Sequence, residues 1–228
     1  MINKRLYKNL NVCIQIKEGI KVLIIIINEL LQETNIDNNN KINMSIINKD
    51  GFDFYSDINN NPESFIIKGI DLNKEIAYII DNNIKSISLS CFESKSIESL
   101  QFLEKINFIE KVSLDNINIE LNSLYVLKNL KELIISVINK KQFLDYSMFP
   151  NLEILSIDWY SKFPSLSKNN NLKELSIWKF KPKSKSLKEL FLPESLEKLH
   201  ITESNIINLE GLESNNLKIF EAHYCNSL

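Results

Sequence analysis

From residue 84 onward the apolar positions repeat one phrase, L-x-x-L-x-L with aliphatic substitutions. It reads Ile84/Ile87/Leu89, Ile109/Val112/Leu114, Leu130/Leu133/Ile135, Leu152/Leu155/Ile157, Leu172/Leu175/Ile177, Leu196/Leu199/Ile201 and Leu217/Phe220/Ala222. The first members lie 25, 21, 22, 20, 24 and 21 residues apart. Within each phrase the fourth and sixth positions are apolar and the third, fifth and seventh mostly polar, the period-2 alternation of a strand with one buried face. A short strand returning every 20–29 residues or so marks a stacked solenoid, in which each unit buries its apolar face against its neighbours.

Before residue 84 no such phrase appears. Residues 11–16 alternate and predict a strand. Residues 17–33 place Ile20, Leu23, Ile24, Ile27, Leu30 and Leu31 on one helical face, although the four consecutive isoleucines 24–27 equally suit a buried strand. Residues 42–47 and 52–56 flank Asn48-Lys49-Asp50-Gly51, a hairpin signal. Residues 71–82 predict a short helix with Leu72, Ile76, Ile79 and Ile80 on one side. Residues 1–83 are thus expected to form a small α+β cap on the repeats of 84–228, or a small domain with a binding task of its own. Between the strands, residues 96–106 predict a helix, 186–191 a single helical turn stopped by Pro193, and Phe163-Pro164 with 169–171 an irregular loop. Only Cys225 to Leu228 follow the seventh strand and its turn. An open strand edge is expected there, shielded by a partner or by a second copy in a homodimer, unless Tyr224 and Leu228 fold back over it.

Residues 84–228 resemble the leucine-rich-repeat family, in an irregular, bacterial form. The best single match is Leu196-x-x-Leu199-x-Ile201-x-x-Ser204-x-Ile206-x-x-Leu209-x-x-Leu212. The resemblance implies an α/β solenoid of about seven repeats whose parallel strands line a concave sheet. One column departs from it. The ninth position, where the family places Asn or Cys to hydrogen-bond neighbouring turns, reads Phe92, Ile117, Ile138, Tyr160, Phe180, Ser204 and Cys225. Aliphatic and aromatic packing is expected to replace the asparagine ladder.

Composition narrows the partner. A formal charge of −2 supplies no net field toward nucleic acid or an anionic membrane, and Arg5 is the only arginine. The longest apolar run, Val22 to Ile27, is too short to span a bilayer, and no signal-peptide pattern is present. Three widely separated cysteines fit a reducing cytoplasm better than a disulfide framework. The abundance of Ile, Asn and Lys reads as AT-rich codon bias, which makes the Asn runs at 38–40, 59–61 and 169–171 loop fillers.

The predicted open face carries many serines, against which Ile134, Ile154 and Trp178 are large apolar residues facing solvent. Asp115, Glu132, Asp158 and Glu174 lie beside them and suit a basic partner patch. Trp159, His223 and Tyr224 fall at strand ends, and His200 neighbours His223 on the adjoining repeat. Trp159 reads equally as packing into the vacant asparagine column. No catalytic residue and no metal ligand is assigned: the two histidines match no zinc spacing, and no phosphate-binding glycine loop, H-E-x-x-H or C-x-x-C occurs. The expected function is therefore non-catalytic and without cofactor. A protein partner would bind through Asp115, Glu132, Ile134, Ile154, Asp158, Trp159, Glu174, Trp178, His200 and His223. Small cytoplasmic repeat proteins of this kind include immunity proteins that neutralise a cognate toxin. The alternative is an adaptor that recruits a target to an enzyme complex through residues 1–83.

Overall fold

A computed structural model describes residues 45–136, 143–160, 162–212, 216–225 and 227–228, together with the backbone of 10–17 and 20–27. Ile138, the 38–40 asparagine run, residues 28–33 of the expected helix and 42–44 of the expected hairpin lie outside the described residues. The chain divides into two compact units, Thr34–Leu144 and the combination of Met1–Glu33 with Asp145–Leu228.

In the Thr34–Leu144 unit, β3 (Ile46–Lys49) and β4 (Phe52–Ser56) form an antiparallel hairpin. Asp50 (φ 55°) and Gly51 (φ 84°) supply its two left-handed turn positions, the geometry that matches strand twist in a two-residue loop. The strand β5 (Pro62–Ile66) follows, antiparallel to β4. The carboxylate of Asp57 organises the β4–β5 turn by accepting from the Asn59 and Asn61 backbone N–H groups at 2.8 Å each. The helix α1 (Leu72–Asp81) begins where Asp71 accepts from Lys74 N at 3.2 Å, a side-chain N-cap. It packs Ile76 and Ile79 inward, and the Tyr78 ring lies against Phe52 and Phe54 of β4 and Phe65 of β5. Ile80, expected on the apolar side, is exposed.

The phrase then becomes strand. In this unit β6 (Ser86–Ser90) pairs in parallel with β5, β7 (Lys111–Asp115) with β6, and β8 (Glu132–Ser136) with β7. Equivalent positions meet: Ile87 faces Val112, which faces Leu133, and Leu89 faces Leu114, which faces Ile135. In the other unit β9 (Ile154–Asp158), β10 (Glu174–Trp178), β11 (Lys198–Thr202) and β12 (Ile219–His223) repeat the arrangement, with Leu155, Leu175, Leu199 and Phe220 in one row and Ile157, Ile177, Ile201 and Ala222 in the next. Every one of these row residues is buried. Each large aliphatic contributes about 1.5–3 kcal/mol by leaving water, which is what offsets the ordering of such short strands. Each unit is thus a sheet of mostly parallel strands in sequence order, compatible with stacked solenoid rungs.

Register is reinforced by charge. Lys131 pairs with Glu110 (2.6 Å), Lys173 with Glu153 (2.7 Å) and Lys218 with Glu197 (2.5 Å), each across one repeat. The connections are tighter than expected. Residues 96–106 form a 3-10 helix only over Gln101–Ile106, and Leu187–Leu190 is a single 3-10 turn. At Gly211 (φ 95°) a Cβ would lie 2.4 Å from the Lys188 backbone N, so only glycine permits that approach of two connections.

Two expectations at the chain ends are corrected. Residues 20–27, read as part of a helix over 17–33, form strand β2 (Ile20–Ile27), antiparallel to β1 (Leu10–Lys17). A run of Val22 and Ile24–Ile27 is β-branched at five of six positions, and restricted χ1 freedom favours the extended backbone. The seventh repeat strand is not an open edge: β2 lies parallel to β12, with Leu23 opposite Ile219 and Ile27 opposite His223. The hairpin from the start of the chain therefore occupies the edge that was expected to await a partner or a second copy.

The ninth column is mixed. Tyr160 and Phe180 are buried as expected, whereas Phe92 is 71% exposed. In the same column Ser204 is buried and hydrogen-bonded, donating to the Phe180 carbonyl at 2.6 Å and accepting from Ile206 N at 3.2 Å. Asn169 is no loop filler: it is buried and donates to the Tyr146 carbonyl at 2.8 Å.

Candidate functional site

Strand alternation and a backbone kink together create a surface pocket over β10–β12. On β10, β11 and β12 the fourth and sixth phrase positions are buried, which turns the third, fifth and seventh to the opposite face. At the seventh position Asp158, Trp178, Thr202 and His223 form a row in register. The residues that follow three of these strands, Lys179 (φ 55°), Glu203 (φ 55°) and Tyr224 (φ 54°), adopt left-handed backbone conformations. Such conformations cost a non-glycine residue on the order of 1 kcal/mol, and here the ladder holds them: Lys179 N donates to Thr202 O (2.8 Å) and Glu203 N to His223 O (2.9 Å).

The result is a shallow, open pocket of about 370 Å³. Small Ser176 and Thr202 leave its middle low. Trp178, His200, His223 and Tyr224 stand around it, and Glu174 and Glu203 supply carboxylates. Trp178 is 48% exposed and Tyr224 43%. Among the four residues Glu174, His200, Glu221 and His223 the contacts are polar. His200 Nδ1 lies 3.0 Å and His223 Nε2 3.4 Å from one Glu221 oxygen, and His200 Nε2 lies 3.8 Å from Glu174.

The structure thus gathers four of the predicted residues, Glu174, Trp178, His200 and His223, into one pocket. Ile154 is half-buried beside Glu174, its register partner, and Asp158 beside Trp178. Asp115, Glu132 and Ile134 are half-buried on the open face of the Thr34–Leu144 unit. Several predicted carboxylates already have cations: Asp158 has Lys179 at 3.3 Å, Glu174 has Lys198 at 3.3 Å, and Glu132 has Lys111 at 3.1 Å. Trp159 is half-buried in an aromatic cluster, stacked on Phe163 (5.2 Å) and edge-on to Phe180 (4.7 Å). The serines of β6 do not stay accessible as expected, because Ser88 and Ser90 are buried. Sequence reasoning missed Glu203 as a pocket residue. The signal was the position one past the strand phrase, which becomes visible only once the left-handed kink is known.

Cys225, the thiol nearest these histidines in sequence, is buried and lies 3.4 Å from the His223 carbonyl; burial pushes its thiol up from the ordinary value. Among the described residues no group of three or more His, Cys, Asp or Glu side chains is placed to hold a metal ion, and no helix is long and apolar enough to cross a membrane. No protein-family model matches the sequence, and no curated protein matches it.

Proposed function

We propose that the chain is a leucine-rich-repeat binding module that takes a protein partner on the exposed face of β9–β12 and neutralises it, as an immunity protein does a cognate toxin in the cytoplasm. The observation that carries the reading is Trp178, a large aromatic half-exposed in a row with the polar Asp158, Thr202 and His223 and backed by buried aliphatic rows. Tryptophan in such a setting is the residue type most enriched among interface hot spots, where truncation costs about 2 kcal/mol or more. The hydrogen-bonded parallel sheet beneath it supplies a surface that needs little reorganisation to bind, which lowers the entropic cost of association. The seven in-register phrases support the repeat architecture, and the resemblance already noted supports protein binding within it.

The experiment is co-purification with the products of neighbouring genes, each expressed with and without this chain. The reading expects one such product to bind stably and to arrest growth only when the chain is missing. A full set of neighbours that neither bind nor harm the cell would remove it.

A further inference from the structure

The pocket beside Trp178 has an unbalanced charge. Lys179 and Lys198 are engaged by Asp158 and Glu174, each at 3.3 Å. The carboxylate of Glu203 is exposed and has no partner among the described residues. Glu221 directs one oxygen, Oε2, at both His200 and His223, and its Oε1 has no partner among the described residues. One carboxylate of the lining, that of Glu203, therefore remains unpaired in a cavity walled also by Trp178, Tyr224, His200 and His223, and Glu221 contacts the two imidazoles of that wall.

We infer, on the reading of this face as a protein-docking surface, that the pocket receives a basic side chain of the partner, an arginine above all. Three features fit that occupant together. An indole face attracts a cation through its quadrupole, and a guanidinium adds planar stacking. Glu203 stands free at the rim to accept its N–H donors, where a charge-assisted bond is stronger than a neutral one. One Glu221 oxygen holds both imidazoles of the wall, at 3.0 and 3.4 Å, so their orientation is fixed before the ligand arrives and little freedom is lost on binding. An acidic side chain would meet Glu203 with like charge. An aliphatic one would leave the Glu203 carboxylate partly desolvated and unpaired, which is costly.

The two tryptophans make a direct test possible, since Trp159 lies in the aromatic cluster and serves as an internal reference. The full-length protein, labelled at the indole nitrogens, is titrated with Nα-acetyl-arginine amide, with the leucine and glutamate amides as controls. The expected result is a saturable shift of the Trp178 indole resonance with the arginine probe alone, in the millimolar range usual for so small a ligand. Trp159 should stay in place. Glu203→Gln should weaken the response by about fivefold, and raising the salt should weaken it further. An equal response to the leucine amide, or none to the arginine amide from a protein whose Trp159 resonance is native, overturns the inference. The two proposals fail separately. A partner captured on this face whose binding is unchanged by Glu203→Gln removes the arginine pocket and leaves the docking surface standing. A selective arginine response without any protein partner upholds the pocket's chemistry and removes the neutralising role.

Discussion

The Ser204 hydroxyl donates to the Phe180 carbonyl, 24 residues earlier in the chain, across 2.6 Å of buried space. That bond ties the turn after β11 to the turn after β10. Ser204→Ala removes it and also orphans the Ile206 N–H that the hydroxyl accepts. Both groups lie out of water, so the variant should lose roughly 1–3 kcal/mol in urea unfolding. Ser165→Ala, at an exposed position, should change stability by less than about 0.5 kcal/mol. Equal effects of the two substitutions would show that the buried bond contributes nothing.

Glu75 gives the unit around the hairpin an unusual pH dependence. It is buried in the first turn of α1, accepts from the backbone N–H groups of Lys68 and Gly69 at 3.0–3.2 Å, and has its carboxyl pushed above the ordinary value, chiefly by burial. Between the unfolded and the folded value the native state then holds more protons than the unfolded one. This group's contribution to stability is fully present below the unfolded value near 4.5 and is lost as pH rises through the folded value. Glu75→Gln retains an acceptor for the two N–H groups and carries no charge. Its stability relative to the parent should therefore be higher at pH 7 than at pH 4, measured by paired denaturant titrations. A difference independent of pH would mean that burial of the carboxylate has no cost.

The pairing of β2 with β12 predicts what truncation does. Removing residues 1–27 strips β12 of its outer neighbour and exposes a row of backbone N–H and C=O groups ready to join another chain. The shortened protein should melt more than about 5 °C lower and should self-associate with rising concentration in sedimentation. A truncated chain that stays monomeric and melts with the parent would argue that the hairpin is dispensable to the edge.

The double variant Ile154→Glu with Trp178→Ala alters only the open face, because the phrase positions that build the core are the alternate ones. Its melting temperature should stay within a few degrees of the parent. Affinity for a partner docking on this face should fall at least about 30-fold, the equivalent of about 2 kcal/mol. Loss of binding accompanied by unfolding would leave the face without an assigned role.

What could be read from the sequence follows from how local the determining forces are. The phrase positions of β6–β12, the turn at Asp50-Gly51 and the Asp71-capped helix are set within a few residues, by alternation, left-handed turn chemistry and capping. The strand β2 was ambiguous because its isoleucine run satisfies two periodicities, and its neighbour β12 lies 199 residues away from Ile20 to Ile219. No local pattern carries that pairing. The strand β5 went unread for a related reason: Pro62-Glu63-Ser64 gives it a polar start, and Phe65 and Ile66 become strand through the neighbours they meet on β4 and β6. For the candidate site, alternation was enough to place Trp178, His200 and His223 on one face. Glu203 and Tyr224 required the backbone reversal after each strand, and the pairing of Asp158 and Glu174 with lysines required the register.

The row Asp158, Trp178, Thr202, His223 also has a length scale. Adjacent strands lie about 4.8 Å apart, while one turn of an α-helix advances about 5.4 Å. A helix laid across the strands would offer one side chain to each member of the row and drift out of step by only about 0.6 Å per turn. Four strands are few enough for that mismatch to stay below half a turn, so the spacing of the row would admit a helix laid across it.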